Sequence, residues 1–355
     1  MPPFCKLRDP ESYVPGDWDL LKDEPAREAW IRIFDEHTAS LVAHAREALH
    51  PPLEEALDAY ELAMRHVLGQ VRDRPEQFAP LTIYQLCRLR VDLMNRHHIG
   101  DPYDRVKLDE NRAALDHVAQ VFAAIDACPD DTVVETLLRG VLAGNKFDLG
   151  AKDTMDLHSH GGIDFFATLK ELGERPWFVD DVDALAPRLA RGRVAYRKAI
   201  FFVDNAGGDI VLGAIPLARY LADQGCRVVL AANDEPALND IIVDELHDVL
   251  AAVAAYHDPR MVDHLRSGRI SVVGTGCDCP LIDLGDVSDA CNEAAADADL
   301  VILEGMGRAV ESNYHVALTC DAIYLAMIKN RELARYLGCK LFDLVARFTP
   351  AGQVP

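Results

Sequence analysis

The chain is predicted to fold as an α/β protein, with a mostly parallel sheet covered on both faces and a helical half preceding it. Three observations point there. Short apolar runs alternate with amphipathic helical stretches from about Pro176 onward, the rhythm of strand–helix–strand units. The first 150 residues carry apolar positions at helical spacing and no strand alternation. At 355 residues the chain exceeds a usual single core, so two domains or one large α/β unit are expected. We place the boundary at 175/176, with a helical cap or bundle before it and an α/β unit over 176–355.

In the helical half, Trp30, Phe34 and Leu41, then Leu86, Leu89 and Leu93, then Leu115, Val118, Phe122 and Ile125 form successive stripes. Pro51-Pro52, Pro75, Pro80, Asp101-Pro102 and Pro129 separate them. Thr132-x-x-Glu135 has the form of a capping box opening the helix toward Leu142. Gly144-Asn145-Lys146-Phe147-Asp148-Leu149-Gly150 ends this half, either as a helix cap or as a constrained loop that delivers polar groups elsewhere.

Strands are expected at Trp177–Val179, Ala199–Val203, Val228–Ala231, Ile270–Val273, Leu300–Leu303 and Ile323–Ile328. Ile210 to Ala222 reads as a helix, with Pro216 marking a kink or a late start. Polar residues follow several strands, at the edge where open parallel sheets build sites. Asp204-Asn205-Ala206-Gly207-Gly208-Asp209 follows one. Asp240 falls a strand–helix–strand unit later, in Leu238-Asn239-Asp240. Two carboxylates and an amide suit a hard divalent cation, and the same residues also suit helix caps. Glu304-Gly305-Met306-Gly307-Arg308 follows another strand, with glycines that free backbone amides for an anion and an arginine able to fork onto phosphate oxygens. Lys329 and Asn330 leave a third, the lysine placed as a point charge, or snorkelling at the surface.

The net charge of −22 argues against a general nucleic-acid surface, and an anionic substrate would need a local cation. No apolar run approaches a membrane span, and the amino terminus has no signal pattern. Nine scattered cysteines suit a reducing cytoplasm. Cys277-Asp278-Cys279 and His158-Ser159-His160 are weak metal signals beside zinc's usual ligand sets. The Gly-x-Gly-x-x-Gly fingerprint is absent from the strand–helix turns, which disfavours a standard dinucleotide site.

Together, Asp204-Asn205, Gly208-Asp209, Leu212-Gly213, Leu238-Asn239-Asp240, Glu304-Gly305-Met306-Gly307-Arg308 and Ile328-Lys329-Asn330 resemble the metal-dependent damage-control phosphatases, once filed as a domain of unknown function. Asp101-Pro102-Tyr103 and Gly144-Asn145-x-Phe147-Asp148-x-Gly150 extend the resemblance into the helical half. The Glu-Gly-Met-Gly-Arg stretch is similar to the signature of the second subfamily. That group includes stand-alone plant proteins and the phosphatase domain of pantothenate-kinase-like fusion proteins.

The resemblance implies a three-layer α/β/α sandwich with a Rossmann-like sheet, a helical domain packed on it, and the active site between them. It implies that Asp204, Asn205 and Asp240 bind Mn²⁺, Mg²⁺, Co²⁺ or Ni²⁺, and that Asn145, Asp148, Arg308 and Lys329 surround the phosphate. The implied substrates are small phosphorylated metabolites, above all 4′-phosphopantetheine and its oxidised or damaged forms, with sugar phosphates as an alternative. Attack by water is preferred over Asp204 as a covalent nucleophile. Ala206 departs from the Asn-Ser-Gly common in relatives, which removes a hydroxyl. A rival class is an S-adenosylmethionine-dependent carboxyl methyltransferase; a homo-oligomer is compatible with either.

Overall fold

The computed structural model describes residues 1–49, 53–147 and 165–354. Seven strands form one sheet: β1 (Val179–Asp180), β2 (Lys198–Phe202), β3 (Arg227–Ala232), β4 (Ile270–Gly274), β5 (Leu300–Glu304), β6 (Asp321–Met327) and β7 (Leu344–Thr349). Their order is β1-β7-β6-β5-β2-β3-β4, and every pair is parallel except β6–β7. The six expected strands are all present, with ends shifted by a residue or two; β1 is reduced to a two-residue edge.

Strand β2 shows why both sheet faces are covered. Side chains alternate along a strand. Ile200 and Phe202 therefore join one apolar core, while Ala199, Phe201 and Val203 join the other. Helices α1 (Glu24–Ala48), α2 (Glu54–Asp73) and α3 (Ile83–Arg96) contribute Trp30, Tyr60 and Leu86 to the first core. Helices α4 (Asp104–Ala127) and α5 (Val133–Gly144) contribute Val118 and Leu138 to the second. Both cores thus run across the 175/176 boundary, where α6 (Phe165–Glu171) gives way to β1.

Two local expectations change. The Thr132 side chain makes no cap bond to the helix; its hydroxyl reaches the Pro129 carbonyl, and Glu135 is taken by Arg139 at 2.8 Å. An ion pair along the helix thus replaces the reciprocal box. The Ile210–Ala222 helix is instead a π-helical segment, Asp209–Ala214, running into an α-helix, Ile215–Asp223, with Pro216 in its first turn. A second π-helical segment, Met306–Glu311, follows β5. Such wide turns recur at functional sites, and both here lie in the connections that leave the carboxyl ends of central strands.

Candidate active site

The loops after β2 and β3 are zipped together. Asn205 and Asp240 pair as an isolated antiparallel bridge, and the Ile241 and Ala206 amides donate to the Asp204 and Asn239 carbonyls at 3.0 and 2.9 Å. Asn239 Nδ2 donates to Asn205 Oδ1 at 2.8 Å. Leu238 adopts a left-handed backbone, φ +58°, in the same turn, a conformation that a branched side chain takes at a cost. Sequence separation of 36 residues between Asp204 and Asp240 is thereby closed, and both acids are buried at the sheet edge.

Two further carboxylates join them. Asp209, Glu304 and Asp204 each offer an oxygen within 4.8 Å of the others. Glu304 ends β5; its carboxylate accepts from the Asp204 amide at 3.0 Å and from Asn145 Nδ2 at 2.9 Å. Asp209 Oδ2 accepts from Asn205 Nδ2 at 2.7 Å and Asn145 Nδ2 at 3.2 Å, while its Oδ1 is buried with no hydrogen-bond partner. Close approach is built in by glycine. A Cβ on Gly305, at φ +96°, would overlap the Asp204 carboxylate, and one on Gly144 would lie 2.8 Å from Asp209 Cα.

Arg308 ties the acids into one frame. Nη1 contacts Asp204 Oδ1, and Nη2 donates to Asp240 Oδ2 at 2.7 Å and to Asn233 Oδ1 at 3.1 Å. Both terminal nitrogens expected to fork onto phosphate are thus engaged by protein oxygens. Burial opposes its charge, but Asp240 and Asp204 more than compensate and raise its pKa. Lys329 Nζ donates to the Asn145 carbonyl at 2.7 Å, coupling the end of α5 to the exit of β6. The Met327 amide donates to Asn145 Oδ1 at 3.2 Å. Asn145 therefore sits inside the cluster, touching three carboxylates. Asp148, Gly150 and His158-Ser159-His160 lie outside the described residues.

The donor set suits a divalent cation. Four buried carboxylates share this network with one guanidinium and one ammonium, which leaves two negative charges uncompensated when all are ionised. The strain is visible in the acids. Burial, then Asp204, pushes the Asp209 carboxyl up to about 6. Burial, then Asp209 and Asp204, raises Glu304 well above its ordinary range. A second acidic cluster, Asp101, Asp104 and Glu245, is already filled: Lys107 Nζ reaches Asp101 at 2.8 Å and Glu245 at 2.7 Å.

Asp204, Asn205, Asp240 and Lys329 face a cavity of about 330 Å³ between the sheet edge and helices α1 and α3. Asp209 and Glu304, buried in the same network, do not line it. Ala206 is buried in the apolar core and does not line the cavity, so the missing hydroxyl changes the packing layer. Cys277 and Cys279 are free thiols; burial raises both pKa values, the opposite of a metal-binding thiolate. Asp209, Glu304, Asn233 and Asn239 were not singled out from sequence for these roles. Glu304 ends a strand and Asn233 directly follows one, whereas Asp209 and Asn239 each lie seven residues past a strand's carboxyl end.

Among the described residues no helix is long and apolar enough to cross a membrane. Comparison with known proteins agrees with the geometry. A family model described as the damage-control phosphatase ARMT1-like domain matches residues 25–345. A damage-control phosphatase of Arabidopsis thaliana is 35% identical over 94% of this chain and 90% of its own length. A pantothenate kinase 2 of the same plant is 35% identical over 98% of this chain, and a 4′-phosphopantetheine phosphatase of Mus musculus is 33% identical over 96%. The chain spans only 42% and 48% of the length of these two. The crystal structure of a DUF89 family protein from Pyrococcus horikoshii superposes with a TM-score of 0.64 at 18% identity, covering 91% of this chain and 97% of that one, and shares the fold. The chain is a member of the damage-control phosphatase ARMT1-like domain family.

Proposed function

We propose that this protein is a divalent-metal-dependent phosphatase of small phosphate monoesters, with 4′-phosphopantetheine and its oxidised or damaged forms as the leading substrates. One observation carries the reading: Asp204 and Asp240, part of a buried network with an excess of carboxylates, line a cavity into which Lys329 also faces. Asp204, Asn205 and Asp240 are the cation's ligands in this reading, because they face the cavity while Asp209 and Glu304 do not line it. A bound Mn²⁺, Mg²⁺, Co²⁺ or Ni²⁺ supplies Lewis-acid polarisation of the phosphoryl oxygen and a more acidic water.

The protein's own groups do the rest. Lys329 neutralises charge on the equatorial phosphoryl oxygens as the ester bond breaks, and its bond to Asn145 fixes its reach. Arg308 holds the Asp204 and Asp240 carboxylates at a set separation. Asp209 orients the Asn205 amide, and Glu304 fixes the Asp204 backbone. Asp204, already committed to Arg308 and to the cation, is a poor nucleophile, which favours attack by water. Nine free thiols support a reducing compartment, the cytoplasm in this reading.

The test is release of inorganic phosphate from a panel of phosphate esters, including 4′-phosphopantetheine, its sulfur-oxidised forms and sugar phosphates. Each is assayed with chelator and with each of the four cations. Hydrolysis that needs a cation and is greatest on the pantetheine esters is expected. Absence of phosphate release with every cation refutes the reading, and methyl transfer to a carboxylate would replace it.

A further inference from the structure

Helix α4 reaches both of the loops that carry the cation's proposed ligands. In the loop after β2, the Gly207 amide donates to Asn111 Oδ1 at 2.6 Å. One helical turn earlier, Lys107 Nζ donates at 3.4 Å to the carbonyl of Asp240, in the loop after β3. Lys107 and Asn111 stand four residues apart, so they share one face of α4 at about 6 Å along its axis. Both are buried, at 0% and 5% exposure.

Each contact is itself held in place. Gly207 has a left-handed backbone, φ +74°, and a Cβ there would lie 2.9 Å from Glu110 Cβ, so the loop comes directly down on the helix. Lys107 is aimed by Asp101 at 2.8 Å and by Glu245, on the helix Val243–Tyr256, at 2.7 Å. Asp101 also accepts from the Tyr103 amide at 2.8 Å, just before α4 begins. The Asp101-Pro102-Tyr103 motif thereby fixes both the start of the helix and the direction of its lysine. Lys107, Asn111 and Gly207 do not line the cavity, so a ligand there does not meet them. Their effect on the site passes through the two loops. Asn111 holds the backbone two residues past Asn205, and Lys107 holds that of Asp240 itself.

We infer that Lys107 and Asn111 are positioning residues of the metal centre: α4 is a two-point clamp that fixes Asp204 and Asn205 relative to Asp240 and so sets the affinity for the cation. The inference rests on the phosphatase reading for the identity of the ligands. The clamp touches neither cation nor substrate.

Metal binding tests it without recourse to hydrolysis. Asn111→Leu keeps the bulk and removes the acceptor. Calorimetric titration should show Mn²⁺ bound at least about ten-fold more weakly, as for loss of an outer-shell partner. The EPR spectrum of the bound Mn²⁺ should change with its ligand geometry. Asn111→Asp, which still accepts from the Gly207 amide, should restore most of the affinity and the native spectrum. Asn111→Ala carries the test if the leucine variant does not fold. Lys107→Met, made together with Asp101→Asn and Glu245→Gln so that neither partner carboxylate is stranded, should weaken Mn²⁺ likewise. Val118→Ala, in the apolar core on the same helix, should lower Tm and leave Mn²⁺ affinity as it is. Unchanged affinity in Asn111→Leu or in the Lys107 variant overturns the clamp. So does an equal loss in Val118→Ala, or a loss that Asn111→Asp does not restore. Clamp-dependent Mn²⁺ binding without ester hydrolysis refutes the phosphatase reading alone. Hydrolysis with a Mn²⁺ affinity indifferent to Asn111 refutes the clamp alone.

Discussion

If the strand-end carboxylates hold a divalent cation, chelation must destabilise the folded chain, and Asp240→Asn must abolish most of that effect. The substitution preserves shape and leaves an oxygen for the Arg308 and Asn233 contacts while removing one charge. A cation bound at one hundred times its Kd stabilises the native state by about 2.7 kcal/mol. For 355 residues the unfolding entropy at Tm is about 0.75 kcal/mol/K, at about 2.1 cal/mol/K per residue. The native protein should therefore gain about 4 °C when Mn²⁺ replaces chelator. A hundred-fold loss of affinity on removing one of two carboxylate ligands brings the same Mn²⁺ concentration to its Kd, where the gain falls to about 0.4 kcal/mol, or about 0.5 °C. Scanning calorimetry with metal analysis of the dialysed protein measures both numbers. Asp104→Asn, in the cluster already occupied by Lys107, is the control and should keep the full shift. Equal Mn²⁺ shifts in the native protein and Asp240→Asn would refute the assignment. Loss of the shift in Asp104→Asn would move the cation to the other cluster.

Three further outcomes follow from named contacts. Lys329→Met removes a buried ammonium facing the cavity while conserving its bulk, and should lower kcat by about 10²–10³, as for loss of a single transition-state donor, with a smaller change in KM; equal loss in binding of an alkylphosphonate would make it a ground-state contact. Gly305→Ala places a methyl group on the Asp204 carboxylate at a left-handed backbone position, so it should lower both Tm and the Mn²⁺ shift; an unchanged metal shift would show that the carboxylate is not held there. Lys198 and Arg227 hold the Asp297 carboxyl down at about 2, so the pair stabilises above the unfolded carboxylate range and the stability is lost as pH falls through about 2. Asp297 is half exposed, so Asp297→Asn should cost only about 0.2–1 kcal/mol at pH 7, with the difference from the native protein closing by pH 2 in chemical denaturation.

How far the sequence could be read depended on whether a residue's role is local. Strand β2 announces itself because the five successive apolar residues Ala199–Val203, four of them within the strand, suit a strand buried on both faces. Strand β7 does not. Leu344–Thr349 carries Arg347 and pairs antiparallel with β6, so neither an unbroken apolar run nor a following helix marks it. Asp204, Asn205 and Asp240 were legible as polar residues leaving strands, and their convergence follows from β2 and β3 being neighbours in the sheet. Asp209 and Glu304 were quoted within motifs without a role. Their function arises from β5 lying on the other side of β2, which single-sequence periodicity does not reveal. Arg308 illustrates the same limit. Its chemistry suggested a phosphate fork, whereas its two nearest oxyanions are the protein's own.

This arrangement explains how a chain with a net charge of −22 can admit an anionic substrate. Within the cavity Arg32, Arg90, Lys329 and Arg331 nearly balance Glu36, Asp204, Asp240, Glu311 and Glu332, so its walls repel a phosphate less than the chain's overall charge would. Asp209 and Glu304, buried in contact with Asp204 but outside the lining, add the carboxylate excess. A cation entering that network would convert it from repulsive to attractive toward a phosphoryl oxygen, and would oppose the upward pull of burial on the Asp209 and Glu304 carboxyls. Metal binding and substrate binding are therefore coupled in sign: the anion should bind weakly to the chelated protein and tightly to the loaded one. By reciprocity, a bound phosphonate should raise the affinity for Mn²⁺ by the same factor. Titrating each in the presence and absence of the other measures that factor twice. Independence of the two equilibria would mean that the phosphoryl group does not meet the cation, and Lys329 would then be its only charged contact beside the carboxylates.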